Sequence, residues 1–299
     1  MRTVSDSLAD TTVLVTGGRG FVGRALIDVL QSLDARVVAT TRGVVPASGD
    51  AIDWRHCDPT DIEAVRRLMA AVRPQHVVHL SSQADGRREL ALVPTTLHAE
   101  TVAAVNLLTA ATEAGVRRIV LPASLEEPAP GEPPLSPYGA AKTATHLYAQ
   151  MFHRLYGTPV VMARIFMAYG PGQPAWKLIP STISRLRAGE APVIESPDRL
   201  ADWVYIEDVA AAFARILAAP ALEGRVVDIG SGVLTSIRDV VARLVGAIAP
   251  SVIPRFGAVA PRGDTLVRTA DLATTTRLTG WSPRIGLEDG LARTLAAQG

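Results

Sequence analysis

The sequence predicts an α/β fold: a doubly wound parallel sheet followed by a smaller C-terminal lobe. Three observations carry this prediction. Short β-branched runs alternate with longer segments of helical period through the first half of the chain. A glycine-rich turn joins the first such run to the first helical segment. After Arg164 the alternation loosens into sequence punctuated by Pro and Gly. The short runs are apolar at consecutive positions, as strands must be when helices cover both faces of a parallel sheet.

In chain order, the predicted strands are Val13–Val15, Arg36–Ala39, His76–Leu80, Arg118–Leu121 and Val160–Ala163. Apolar residues at three- and four-residue spacing predict helices over about residues 20–33, 60–72, 99–114 and 138–155. Pro128, Pro130, Pro133, Pro134 and Pro137 mark one long loop that leads straight into Tyr138. Past Arg164, Pro171, Gly172 and Pro174 break the chain, a helical segment follows near Trp176, Trp203–Ile206 reads as a strand, and a helix begins close to Glu207. The expected division is a sheet domain over 1–165, to which 202–230 returns, and a lobe built from 166–201 and 231–299. No internal repeat or low-complexity tract interrupts it.

With 299 residues, 48% apolar and 20% charged, the chain can bury a large core. Thirty Lys and Arg against 29 Asp and Glu leave a net charge of +1, so no global field recruits nucleic acid or an anionic membrane. One cysteine, Cys57, excludes an intrachain disulfide and suits a reducing compartment. The first ten residues lack the apolar stretch of a signal peptide, and no apolar run reaches roughly 18 residues, so a cytoplasmic location is expected.

The glycine turn is T-G-G-R-G-F-V-G, from Thr16 to Gly23. Gly17, Gly20 and Gly23 follow a strand and open a helix, which is the setting in which a dinucleotide's pyrophosphate rests on a helix amino end; Arg19, Phe21 and Val22 lie in the same turn. A ligand-free turn is the plainer alternative. About twenty residues on, where an NAD site usually carries an acid for the adenosine ribose, the chain has Thr40-Thr41-Arg42. A guanidinium binds a 2′-phosphate that a carboxylate would repel, so Arg42, with Arg19 beside the glycines, predicts NADP(H) ahead of NAD(H). Asp58, in D-P-T-D, is placed to accept from an adenine amino group or to belong to the cap of the helix beginning near Asp61.

Tyr138 and Lys142 are four apart and therefore share a helix face. A free phenol has a pKa of about 10, so proton exchange near pH 7 asks for a depression of roughly 3 pH units, or about 4 kcal/mol. An ammonium and an oxidised nicotinamide are charges of the right sign. Ser124, close behind the fourth strand, can polarise a substrate carbonyl, and Glu126 can act as a base if a proton leaves carbon; Glu127 is expected to be a solvated neighbour. Taken singly, Tyr138 reads as packing and Ser124 as a loop serine. His76 and His79, three apart in a strand, point to opposite faces, so no metal pair is expected. Trp54, Trp176 and Trp281 read as packing, whereas Trp203 is a candidate border of the substrate.

These motifs, with H-L-S-S-Q-A (79–84), S-P-Y-G-A-A-K (136–142), R-I-F-M-A-Y-G-P-G-Q (164–173), D-W-V-Y-I-E-D-V-A (202–210), V-D-I-G-S-G (227–232) and G-W-S-P (280–283), resemble those of extended short-chain dehydrogenases/reductases of the NAD-dependent epimerase/dehydratase family, from about Thr12 to the C-terminus. The resemblance implies a Rossmann-type cofactor domain, with Leu80, Ser81 and Ser82 in a loop under the cofactor and Tyr138 and Lys142 beside the nicotinamide. It also implies a nucleotide-sugar substrate near Gln83, Met167, Lys177, Arg199, Trp203 and Arg262, and a homodimer through the helices of 99–114 and 138–155. The chain departs from the family pattern at Met167 and Ala201, where Asn and Arg are frequent. Glu100 stands where a helix Asn often supports the active-site water, and Glu127-Pro128 replaces Val-Tyr. Leu125 occupies the place of the acid of many sugar 4,6-dehydratases.

The expected activity is hydride transfer at a sugar carbon, C4 above others, as a 4-ketoreductase or a 4-epimerase. A 4,6-dehydratase and a cofactor-sensing protein without chemistry are the alternatives.

Overall fold

The computed structural model describes residues 4–45, 52–129, 131–257 and 267–298. A short helix α1 (Val4–Leu8) precedes β1 (Thr12–Thr16), α2 (Phe21–Ser32), β2 (Arg36–Thr41), β3 (Asp53–His56), α3 (Ile62–Val72) and β4 (His76–His79). Next come α4 (Leu92–Thr96), a π-helical turn over Leu97–Val102, α5 (Ala103–Ala114), β5 (Arg118–Ser124), α6 (Pro137–Tyr156) and β6 (Val160–Ile165). The remainder comprises β7 (Met167–Tyr169), α7 (Leu178–Arg187), β8 (Val193–Ile194), β9 (Leu200–Tyr205), α8 (Ile206–Ala218), β10 (Val226–Ile229), β11 (Leu234–Ser236), α9 (Ile237–Ile248), β12 (Arg255–Phe256), α10 (Leu272–Thr279) and α11 (Leu287–Ala296).

Seven parallel strands form the main sheet in the order β3-β2-β1-β4-β5-β6-β10. Chain order reverses between β1 and β4, which opens a crevice beyond their carboxyl ends. Alternate side chains of each strand feed two cores. Val13, Val15, Val37, Ala39, Val78, Val120 and Val161 meet Leu26 and Ile27 of α2 and Val209 and Phe213 of α8. Leu14, Val38, Val77, Ile119, Leu121 and Met162 meet Val65 of α3, Leu107 and Leu108 of α5 and Phe152 of α6. Each such side chain contributes about 1.5–3 kcal/mol on burial, so a shift of register by one residue exchanges the two cores.

The helix ends follow local chemistry. Asp61 accepts from Glu63 N and Ala64 N to start α3, Ser136 accepts from Gly139 N to start α6, and Gly115 and Gly157 close α5 and α6 in the left-handed region.

Several elements differ from expectation. β3 was not anticipated: D-W-R-H is short, polar at three of its four positions and partly exposed at the sheet edge, so it carries no buried-strand signal. The helix expected over 99–114 begins as a π turn before continuing as α5. Of the expected return over 202–230, α8 and β10 join the main sheet, whereas Asp202–Tyr205 lie in β9, which pairs with β7 and β11 in a three-stranded lobe sheet. Asp202 anchors that sheet by accepting from Ser231 N, Ser231 Oγ, Gly232 N and Ala270 N. Among the described residues, no helix is long and apolar enough to cross a membrane.

Candidate active site

The crevice between β1 and β4 is built from backbone. Gly17 adopts φ 70°, and a side chain there would run into the Leu80 carbonyl and Ser81 N, so the glycine turn packs directly on the loop after β4. Thr16 Oγ1 accepts from Leu80 N and Ser81 N, and lies 2.7 Å from His79 Nδ1. Gly20 is exposed at the start of α2, whose amino end has no side-chain cap and no acidic residue in its first turn. Phe21 and Val22 pack their side chains against the core and leave the first-turn backbone forward. Uncapped N–H groups behind a glycine turn fit a pyrophosphate.

At the far rim, Arg19 and Arg42 are both exposed, and Arg19 Nη1 donates to Val44 O at 3.2 Å, which brings it over the turn that holds Arg42. Asp58 is engaged locally: its Oδ1 accepts from Thr60 N and Oγ1, both at 2.9 Å. The cap of α3 is Asp61, so Asp58 does not cap it. The Thr60 backbone bond lowers the Asp58 carboxyl below its ordinary range; burial opposes this, and Thr60 Oγ1, Arg42 and His56 assist.

Ser124 ends β5, and Tyr138 and Lys142 lie on the first turns of α6, which approaches closely because Gly139 leaves room for the Glu126 carbonyl. Lys142 Nζ donates to Pro122 O at 3.1 Å, pairs with Glu100 Oε2 at 2.8 Å, and stands 5.5 Å from the Tyr138 ring centre. Ser124 is close enough to the Tyr138 hydroxyl to favour its ionised form, and Ser124 Oγ accepts from Glu126 N at 3.1 Å. The three side chains therefore converge at one point at the carboxyl end of the sheet.

Glu100 completes this arrangement, and spacing alone gave no sign of its contacts. It is 2% exposed on the π turn, and its Oε1 accepts from Ser82 Oγ at 2.7 Å and Gln83 N at 2.6 Å. Burial alone would raise its pKa, but Lys142, Ser82 and Gln83 N together hold the carboxyl below the usual range. Burial likewise disfavours the Lys142 ammonium, yet Tyr138, Glu100 and Glu127 keep its pKa above the ordinary value. Around Tyr138 the protein groups act in both directions: burial, with Glu100 and Glu126, pushes the phenol above its ordinary value and outweighs the downward pull of Lys142 and Ser124.

The turn after β5 carries two further carboxylates. Glu127 is not solvated: it is 5% exposed, its Oε1 accepts from Ser124 N at 2.6 Å, and its Oε2 lies 2.8 Å from His146 Nδ1. The turn of residues 124–127 curls back on itself, and that brings the carboxylate inside. Glu126, the candidate base, accepts from Ser136 Oγ at 2.9 Å and lies against Gly86, so it ties the cap of α6 to the loop after β4.

On the lobe side, Met167 and Arg199 share a crevice with Leu125, Leu200 and Arg268, the last of these unmarked by any motif. Lys177 Nζ donates to Ala84 O at 3.2 Å, next to exposed Gln83, and lies over the Trp176 ring. Trp203 does not border the cleft as expected: it is 5% exposed, packs on Tyr169 and donates from Nε1 to Thr235 O. Trp176, expected as packing, is 67% exposed. Arg262 lies outside the described residues. His76 and His79 are both buried, and no group of three or more potential metal ligands occurs among the described residues.

Known proteins match both the sequence and the fold. The UDP-glucose 4-epimerase of Mycolicibacterium smegmatis is 29% identical over 94% of this chain and 96% of its own length. The UDP-glucose 4-epimerase of Thermotoga maritima, solved with UDP-glucose, superposes with a TM-score of 0.85 at 25% identity, covering 96% of this chain and 98% of that one. The dTDP-glucose 4,6-dehydratase of Streptomyces venezuelae, solved with NAD, gives 0.84 at 27% identity over 96% of each chain. The family model "NAD dependent epimerase/dehydratase family" matches residues 13–230, from the first strand through the last strand of the main sheet, and the chain belongs to that family.

Proposed function

We propose that the chain is an NADP(H)-preferring oxidoreductase of nucleotide-diphosphate sugars, acting at sugar C4 as a 4-ketoreductase or 4-epimerase. The convergence of Ser124, Tyr138 and Lys142 beside a glycine-turn crevice carries this reading. Gly17, Gly20, Gly23 and the amino end of α2 would hold the dinucleotide's pyrophosphate, Leu80, Ser81 and Ser82 would lie beneath it, and Arg19 and Arg42 would take its 2′-phosphate. When bound, the dinucleotide supplies or accepts the hydride.

The chain's own residues handle the proton. Tyr138 gives its hydroxyl proton to the sugar's carbonyl oxygen, Ser124 bonds the same oxygen, and Lys142 sustains a positive charge behind the phenol. The sugar nucleotide would lie between this point and the lobe, with Gln83, Lys177, Met167 and Arg199 along its path. The similarity to two UDP-glucose 4-epimerases supports C4. Dehydration is the second reading, favoured by the similarity to a dTDP-glucose 4,6-dehydratase and opposed by apolar Leu125 beside the site. A cytoplasmic homodimer is the assembly we assign to it.

The test is consumption of NADPH and NADH against a panel of UDP- and dTDP-4-keto sugars, with products read by mass spectrometry. Turnover is expected with NADPH, and Tyr138→Phe should lower kcat by about a hundredfold or more. Unchanged turnover in that variant would sink the assignment, and release of water from an unoxidised hexose would establish the dehydratase.

A further inference from the structure

Glu100 differs from every other acidic side chain near the site in touching the ammonium that faces the phenol. Glu126 is occupied by Ser136, and Glu127 by Ser124 N and His146. Glu100 meets Lys142 Nζ at 2.8 Å with side-chain exposures of 1% and 3%, where an ion pair is weakly screened. The π turn that carries it is pinned to α6 on both sides of Lys142: Thr101 Oγ1 donates to Ala141 O at 3.0 Å, and Thr145 Oγ1 to Glu100 O at 3.4 Å. A π turn holds one residue more per turn than the α-helix around it, which rotates Glu100 and Thr101 inward. Holding these elements together requires no charge, and burying an ion pair costs desolvation.

We propose that Glu100 is a positioning residue: by pairing with Lys142 it offsets the ammonium's field at Tyr138, keeps the phenol protonated for carbonyl reduction, and ties that state to the Ser82–Gln83 loop. The inference rests on Tyr138 being the proton donor. The groups facing Tyr138 are Lys142, Glu100, Glu126 and Ser124, and those facing Lys142 are Tyr138, Glu100 and Glu127. His79 adds no positive charge near neutral pH, since burial and Lys142 push it down to about 4. Glu100 is thus the carboxylate whose removal exposes the full ammonium to the phenol.

Ultraviolet difference titration of tyrosinate in the full chain tests this, with the signal of Tyr138 isolated by subtracting Tyr138→Phe. In the wild type the Tyr138 midpoint is expected above that of free tyrosine, about 10. In Glu100→Gln it should fall by about one pH unit or more, and in Glu100→Asp, which keeps the charge, it should stay near the wild type. A folded Glu100→Gln protein with an unmoved midpoint overturns the proposal. If circular dichroism shows that Glu100→Gln does not fold, Glu100→Asn is titrated in its place, where the same fall supports the proposal and an unmoved midpoint overturns it. The titration uses neither cofactor nor sugar, so its failure is separate from a failure of the oxidoreductase assignment, which the turnover of Tyr138→Phe decides.

Discussion

Tyr138 and Lys142 meet because four residues carry an α-helix little more than one turn, and this much the spacing Y-x-x-x-K states. The sign of the field at the phenol is not in that spacing. It depends on Glu100, which is 42 positions before Lys142 in the chain and reaches it only through the packing of the π turn on α6. Glu127 was hidden for a similar reason: a carboxylate beside prolines reads as loop until a turn folds it under Ser124 N. Arg42, by contrast, depends on little besides its place at the end of β2, and its neighbour Arg19 is held over the same turn by Val44 O. Arg42→Ala is therefore expected to weaken NADPH binding about tenfold, as loss of one charged phosphate contact does, and to leave NADH binding nearly unchanged. Fluorescence titration with both reduced cofactors measures this; an equal loss for the two would remove Arg42 from the 2′-phosphate.

Helix α6 has two unlike faces. Ala141, Lys142, Thr145, Ala149 and Phe152 are buried, while Leu147, Tyr148, Leu155 and Tyr156 are 62%, 42%, 65% and 58% exposed. Val93 of α4 and Leu97 at the start of the π turn, on the segment packed along α6, are also 44% and 46% exposed. Several large apolar side chains exposed along one helix and its neighbours mark an interface more often than a solvated face. For the proposed homodimer, Leu147→Glu places a carboxylate in the middle of the patch and should yield a monomer of half the wild-type mass by sedimentation, with the far-ultraviolet spectrum retained. A wild type that sediments as a monomer would remove the interface. Strand β3 shows where element prediction stops: its partly exposed edge position lets D-W-R-H form a ladder with β2 without the apolar run by which the other strands were recognised.

The main sheet was legible because each buried strand had to be apolar at consecutive positions to serve the two cores at once, and each helix had to show one apolar face. In the lobe the strand at Trp203 and the helix after Trp176 were legible but the other short strands were not, since its small sheets are held by side-chain bonds such as those of Asp202 and by Asp208 accepting from Arg284 N and Ile285 N, which leave no periodic trace. The same burial predicts how the molecule responds to acid. His76 and His79 stand in β4 between β1 and β5 with 7% and 2% exposure, and both are pushed from 6.5 down to about 4. Burial is the main cause for each, with Arg118 and Arg117 adding to it at His76 and Lys142 at His79, where Glu100 opposes. A histidine depressed in the fold leaves the unfolded chain binding more protons between those two values, so stability is full above pH 6.5 and falls as pH drops toward 4. Each contributes about 3 kcal/mol over the whole window at this size of shift. Urea unfolding between pH 7.5 and 4.5 should therefore show a steady loss of stability, and His76→Gln should make it shallower by about half the histidine contribution. An unchanged slope in that variant would show that His76 is as free to take a proton in the fold as in the unfolded chain.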